Sequence, residues 1–501
     1  MHPGVVSLLP SRPSMAGLFS VPSALVVAVL TAMPLAAQTD KAAVSDFIEE
    51  RQTRYGDMAQ EIWDLAELGY QEEESVALLA GELEAEGFEV RHGVADIPTA
   101  FVAEYSVGSG GPVVGILAEF DALPGINQDR TPVRSPIEGR AAGHACGHHL
   151  YGTGSVAAAV AVRHWMEETG RPGVIRLYGT PAEEGGAGKV YMVRAGLFDD
   201  VDIVLNWHPS DQNDAGAGSS LSNKSAKFRF SGVSAHAAGA PERGRSALDG
   251  VEAMNHMVNL MREHVPQETR IHYVITSGGS APNVVPDFAE VFYYVRNPDP
   301  ARVASIFERV ATAAEGAALG TGTTVEYEII HGVYNVLPNA TLQEAMHANL
   351  ERVGGVHYDD EEWDFAEVLH ESFDDPPPLE SAAEVQPFSV REEAGAYSTD
   401  VADVSWMVPT GGMGSATWVP GTAAHSWQAV AAGGTPIGTK GMVVAAKTLA
   451  MTAMDLFTDP ELVEAAQAEH QGRIPDDWTY ESLLGDRPPP LDYRAPANPG
   501  G

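Results

Sequence analysis

Basic residues are scarce in this 501-residue chain, which carries 30 Lys+Arg against 69 Asp+Glu for a formal net charge of −39. That excess repels phosphate backbones and anionic lipid, and no local basic cluster offsets it, so nucleic-acid wrapping and membrane-surface docking are excluded as modes of action. The charge reads as a solubility device with no specific partner attached. Cysteine is scarcer still. A lone thiol, Cys146, cannot form an intramolecular disulfide and is left as buried filler, reactive nucleophile or metal ligand. Long apolar runs are missing as well. The apolar stretch Ala24–Met33, preceded by Arg12 and Pro22 and followed by Pro34-Leu35-Ala36-Ala37, is too short to cross ~30 Å of hydrocarbon as a helix. It has the length of a signal-peptide core with small residues at a cleavage site. Residues 1–37 are therefore expected to direct export, to the periplasm or outside the cell, with no membrane span after processing.

What the chain does have is a globular composition, 44% hydrophobic, and a length that allows roughly two to four domains. From Lys41 to Phe88 apolar residues recur every three or four positions (Phe47, Ile48, Tyr55, Met58, Ile62, Leu65), which predicts two helices. A strand is expected at Thr99–Tyr105, and the continuous apolar run Pro112–Ala118 reads as a strand buried on both faces. A helix over Gly152–Thr169, a strand over Gly173–Tyr178 and another over Asp202–Trp207 complete a βαβ alternation. That pattern implies an α/β layered sheet, with ligand sites beyond the carboxyl ends of its strands. Glu119, Asp121, Glu183, Glu184 and His208 fall at those ends.

After about Ser222 the order becomes β-α-β-β-α-β, the split βαβ or ferredoxin-like arrangement, which marks an inserted second domain. The expected division is a catalytic domain over 41–222 and 334–460, interrupted by the insertion at 223–333, with a tail over 461–501. The Asp-, Glu- and Pro-rich stretch 361–393 reads as an exposed excursion, and a helix over Gly441–Leu456 closes the core. The tail, with Pro488-Pro489-Pro490 and few apolar residues, is expected to pack loosely or not at all.

Four short segments concentrate the chemistry. Gly143-His144-Ala145-Cys146-Gly147-His148-His149 places a thiol and an imidazole two residues apart before a helix, whose N-terminus favours a thiolate. Thr180–Gly186 holds the pair Glu183-Glu184. A hydrolytic metal site requires one carboxylate to bind metal and another to take a proton from water, and chain neighbours can divide those roles. Asn206-Trp207-His208-Pro209 and Gly421–Trp427 each add an imidazole, His208 and His425. A lone histidine among 17 is more often structural, but the five donors Cys146, His148, Glu184, His208 and His425 suffice for two ions if one donor bridges them. Mixed nitrogen, oxygen and sulfur ligands suit zinc, manganese, cobalt or nickel, and exclude an all-oxygen calcium site.

The combination Ala118-Glu119-Phe120-Asp121-Ala122-Leu123-Pro124, Gly143–His149, Glu183-Glu184, His208, Gly232-Val233-Ser234-Ala235-His236 and His425 resembles the M20 metallopeptidase family. Within it the chain resembles the amidohydrolase branch whose bridging ligand is Cys. The resemblance covers residues 41–460. It implies a di-metal α/β/α catalytic domain with an inserted ferredoxin-like (βαββαβ) lid and dimerisation domain. It further implies Cys146 as the bridge, with Glu184 and His425 on one ion and His148 and His208 on the other. Glu183 would be the general base, and Asp121 would orient a ligand. Glu119 falls where other branches place a ligating His. In the lid, His236 would reach the partner's active site to hold the developing oxyanion, while Asn283 and Arg296 would bind the amide and carboxylate ends of substrate.

The expected activity is metal-dependent hydrolysis of N-acyl or N-aroyl amino acids, with two divalent ions, Zn or Mn ahead of Co or Ni. The expected assembly is a homodimer or heterodimer through the lid. Three alternatives stand beside it: a dipeptidase of the same family, a non-catalytic subunit of a hetero-oligomeric hydrolase, and a cysteine hydrolase using Cys146 and His148. The last leaves Glu184, His208 and His425 unexplained.

Overall fold

The computed structural model describes residues 35–494. The expected export segment therefore lies outside the described residues but for its last three positions, which open the helix Leu35–Glu49. The larger of two main sheets has six strands: β1 (Glu89–His92), β2 (Phe101–Val107), β3 (Val113–Ala118), β4 (Gly173–Gly179), β5 (Ile203–Ser210) and, after the insertion, a last strand at Thr410–Ala416. Their spatial order is β1-β2-β4-β3-β5 followed by Thr410–Ala416. The last four in that order run parallel, while β2 is antiparallel to β4 and carries β1 as a hairpin at the edge. In β3 every residue from Val114 to Ala118 is buried, as expected for a parallel strand covered by helices on both faces. The helix His148–Thr169, with a buried alanine-rich face, packs on the sheet beside the helix Pro436–Thr458.

The insertion is a unit with its own core. Strands β6 (Ser222–Ser231), β7 (Arg270–Ser277), β8 (Phe288–Asn297) and β9 (Thr324–Val333) form an antiparallel sheet in the order β9-β6-β8-β7. Helices Ala247–Met261 and Pro300–Thr321 pack on it through Val251, Met254, Ile306 and Val310, against Phe228, Phe230, Val291 and Tyr293. Local chemistry sets where these helices begin. Ser246 accepts from the Asp249 amide, and Asp299 caps a helix that starts on Pro300. The chain enters and leaves this unit through paired strands, with Asn223 opposite Val333 and the Ser222 hydroxyl donating to the Val333 carbonyl at 2.8 Å.

Several expectations are corrected. The helix expected from Gly152 begins at His148, and β5 runs to Ser210, so His208 lies within the strand and not beyond it. The acidic stretch 361–393 is not a bare excursion. Its first acids, Glu361, Glu362, Asp364 and Glu367, belong to a helix, Asp360–His370, started by a capping box between Asp359 and Glu362, where negative charge favours the positive helix end. Ala366, Leu369 and Leu379 then pack with Trp418 and Val419. The described part of the tail, to Arg494, does pack on the rest of the protein. Helix Pro460–Arg473 is capped by Asp459, and Leu483 and Leu484 are buried. Finally, Pro436–Thr458 is long and apolar enough to cross a membrane, but 83% of its most apolar window is buried inside the protein, which marks a core helix.

Candidate metal centre

The candidate ligands converge at the carboxyl ends of the parallel strands. One backbone turn makes this possible. Gly147 sits at φ 77°, and a Cβ there would stand 2.6 Å from the Pro209 side chain, so only glycine lets the Cys146 turn close against β5. Cys146 Sγ then lies 3.5 Å from His208 Nε2. His425 is itself in the left-handed region, at φ 62°, and its amide donates to the Ala145 carbonyl at 2.8 Å, which ties its loop to the same turn.

Two sets of potential ligand atoms, each within 4.8 Å of one another, share Cys146: Cys146, His148 and His208, and Cys146, Glu184 and His425. A third set, Glu119, His148 and Glu183, adjoins them. His425 Nε2 and Glu184 Oε1 are 3.1 Å apart. His148 Nε2 and Glu184 Oε1 are buried without a well-aligned hydrogen bond among the described residues. Buried polar atoms are rarely left so, and two ligand sets that share one sulfur would each give such an atom a cation as partner. The residues present therefore fit a pair of divalent ions of the borderline type.

Neighbouring groups orient the ligands. Asp121 Oδ1 is 2.9 Å from His148 Nδ1, which turns Nε2 toward the centre, while Asp121 Oδ2 accepts from the Glu184 amide at 2.9 Å. His208 Nδ1 donates to the Pro209 carbonyl at 2.8 Å, leaving its Nε2 facing Cys146. Burial would raise the Asp121 carboxyl, but the charge and hydrogen bond of His148 hold it below the ordinary range. Glu184 is likewise held low against burial, by its contact with His425. Glu183 goes the other way: burial, then Glu119 and Glu184, push it well above the usual carboxylate range. Burial also pushes the Cys146 thiol up. Asp121→Asn, which keeps the shape and loses the charge, is expected to weaken metal affinity by about 10–100-fold, measured by metal titration.

Sequence reasoning missed the charged network behind the ligands. Lys189 Nζ lies 2.7 Å from both Glu119 and Asp400, and all three side chains are 0–1% exposed. The Lys189 amide also donates to Asp400 at 3.0 Å. Glu119 is thus paired with a lysine while its other oxygen lies 3.1 Å from His148 Nε2. A signal existed in part, since Lys189 closes the glycine-rich run Gly185-Gly186-Ala187-Gly188 directly after the glutamate pair. Lys189→Met leaves two buried carboxylates facing each other and is expected to cost about 3–5 kcal/mol of stability, read as a large fall in Tm. Also missed were Glu72, which accepts from the Ala182 amide at 2.9 Å, and Tyr70, which donates to the Gly186 carbonyl at 2.8 Å.

None of the three lid candidates belongs to a ligand set. His236 is exposed, with Nδ1 accepting from the Ala238 and Gly239 amides. Asn283, also exposed, is on the adjacent loop, where its carbonyl accepts from the Ala237 amide at 3.0 Å. Arg296, on β8, donates to the Ser398 hydroxyl at 3.4 Å and leaves its Nε buried without a partner among the described residues. Buried His331 on β9 is pushed down to about 4, by burial and then by the Arg296 charge, with Glu184 opposing.

Residues 115–369 match the profile of "Peptidase family M20/M25/M40". Over 463 residues the chain is 41% identical to one of the two named subunits of p-aminobenzoyl-glutamate hydrolase from Escherichia coli (strain K12), spanning 87% of this chain and 96% of that one. It is 30% identical over 450 residues to Xaa-Arg dipeptidase of Mus musculus, with coverage of 87% and 93%. A solved Bacillus subtilis structure, a dinuclear metal binding peptidase from the M20 family, has a TM-score of 0.55 over 82% of this chain and 99% of that one, at 19% identity.

Proposed function

Because the chain belongs to peptidase family M20/M25/M40, a family of amide-bond hydrolases, we propose that it cleaves N-aroyl and N-acyl amino acids of the p-aminobenzoyl-glutamate type, with Glu183 as general base. The observation that carries this reading is a pair of ligand sets joined at Cys146, with a half-buried carboxylate beside them, Glu183, that belongs to neither.

In this reading Cys146 bridges two ions, Glu184 and His425 hold one, and His148 and His208 hold the other. Zinc or manganese suits the donors best, with cobalt or nickel next. Such ions, when bound, supply the positive charge that brings the pKa of water to about 7 and polarises a carbonyl. The rest is work for the chain's own groups. Glu183 Oε accepts the proton of the attacking water and returns it to the leaving nitrogen, a role suited by a carboxyl that burial and its acidic neighbours hold well above the usual carboxylate range. Arg296 offers an unpaired, always charged Nε–H to a substrate carboxylate, local help on a chain whose overall charge repels anions.

His236 and Asn283 are exposed on the lid, a placement suited to a site completed by a second subunit, with His236 holding the oxyanion and Asn283 the amide. Exposed Leu260, Val274 and Leu319 on the same unit favour a homodimer or heterodimer through the lid. A sibling chain fits too, since the bacterial relative is named as one subunit of its hydrolase. Export of the mature chain is proposed on the apolar run Ala24–Met33.

The test is amine release from p-aminobenzoyl-glutamate, N-acetyl amino acids and Xaa-Arg dipeptides by the chain loaded with zinc or manganese. Hydrolysis of the aroyl substrate, abolished by chelation and restored by metal, is the expected result. Preference for the dipeptides supports the dipeptidase reading. Loss of activity to a thiol alkylator with none to a chelator would replace the metal mechanism with Cys146 as nucleophile.

A further inference from the structure

The last described segment crosses from the lid to the loop that carries Glu183 and Glu184, and the chemistry proposed above does not use it. At the lid end Leu483 is buried against Gly332 of β9, and Tyr334 donates to the Glu481 carbonyl at 3.0 Å. The Arg487 guanidinium donates to the Ile329 and Ile330 carbonyls and pairs with Glu328. Further on, the segment is tied to the catalytic domain, where Arg194 donates to the Arg487 carbonyl at 2.8 Å and Gln71 to that of Leu491 at 2.9 Å. At its end Tyr493 Oη, at 3.1 Å, and Arg494 Nη2, at 2.9 Å, both donate to the backbone carbonyl of Glu184.

The loop they grip is one that would not hold its shape unaided. Ala182 is at φ 58°, a strained position for a residue with a Cβ, and Gly185 is at φ 95°. Its inner side is already held: the Ala182 amide by Glu72, the Glu184 amide by Asp121 and the Gly186 carbonyl by Tyr70. The Tyr70 ring meets the Tyr493 ring edge to face at 5.6 Å. What the inner contacts leave open is the Glu184 carbonyl, on the residue whose carboxylate faces His425 and Cys146.

We infer that Tyr493 and Arg494 are positioning residues for the hydrolysis, clamping the Glu184 carbonyl so that its carboxylate and the neighbouring Glu183 are held in place before metal and substrate bind. The inference rests on the roles given to Glu183 and Glu184 under the proposed function. The clamp touches no reacting atom and acts only through the loop.

The test uses the full chain carrying Tyr493→Phe with Arg494→Met, which keeps ring and chain length but removes both donors. Three readouts are taken: hydrogen exchange of amides 182–186 in the metal-free protein, manganese affinity by titration, and kcat with KM. Two lost hydrogen bonds, one of them charged, predict about tenfold or greater acceleration of exchange in the loop, about tenfold weaker manganese binding at one of the two sites, and about tenfold lower kcat at little-changed KM. Exchange in β4 stays as in the wild type, which separates loop loosening from general unfolding. Restoring a donor, as Tyr493 with Arg494→Lys, recovers most of each loss. Wild-type loop exchange and manganese affinity in the double variant would overturn the inference. Should both shift while the unaltered chain hydrolyses no amide substrate, the clamp stands and the proposed activity falls.

Discussion

Replacing Glu183 by Gln should lower kcat by about 10²–10⁴-fold while leaving both metals bound, the usual contribution of a positioned proton acceptor. The substitution is nearly isosteric, so it leaves the packing of the 180–186 loop in place and removes only the capacity to take a proton. Glu183 is absent from both ligand sets that share Cys146, which is why metal content should not change. Its neighbour Glu184 is the contrasting case, since its carboxylate belongs to one of those sets. Steady-state kinetics run alongside elemental analysis of the same sample decide the matter. Full turnover by a metal-replete Glu183→Gln enzyme would require a different base, with Glu119 the nearest other carboxylate of that third cluster.

Cys146→Ala is expected to act on metal binding first and on rate as a consequence. It deletes the atom common to both sets, so neither ion keeps its full complement of protein ligands, and the affinity for at least one falls by more than about a hundredfold, beyond what loss of an orienting neighbour costs. Metal stoichiometry after dialysis gives the answer without any substrate. A second check uses the native thiol: metal loading should protect Cys146 from an alkylating reagent, and chelation should expose it. If the alanine variant held two ions per chain and retained activity, the bridging role would have to be given up.

The strands that build the centre are legible in the sequence because a parallel strand covered on both faces leaves a run such as Val113–Ala118 with no polar interruption. The ligands are legible for a different reason. Cys146, His148, Glu184, His208 and His425 stand in four short segments, each at or near a strand or helix end, and it is their combination of metal-type donors, not any one of them, that a structural role leaves unexplained. The Lys189–Asp400 pair is hidden because its members are 211 positions apart and each looks unremarkable alone. The tail and the acidic stretch mislead because composition does not fix exposure. Acids at the start of Asp360–His370 satisfy a helix end, and the triple proline before Leu491 stiffens a segment that is held by backbone carbonyls more than by apolar side chains.

The way the lid is joined to the rest has a mechanical consequence. Its two chain connections leave on adjacent strands, β6 and β9, hydrogen-bonded to one another up to the point where both enter the catalytic domain, and β8 is paired with β6 to the same point. The 481–494 segment adds a third tie, from β9 and Tyr334 to the catalytic domain. Pulling the lid away would therefore load the strand ladder and that third tie together, in parallel and not one after the other. Arg296 rides on β8, directly beside β6, so the same pairing holds it at the junction between the lid and the catalytic domain.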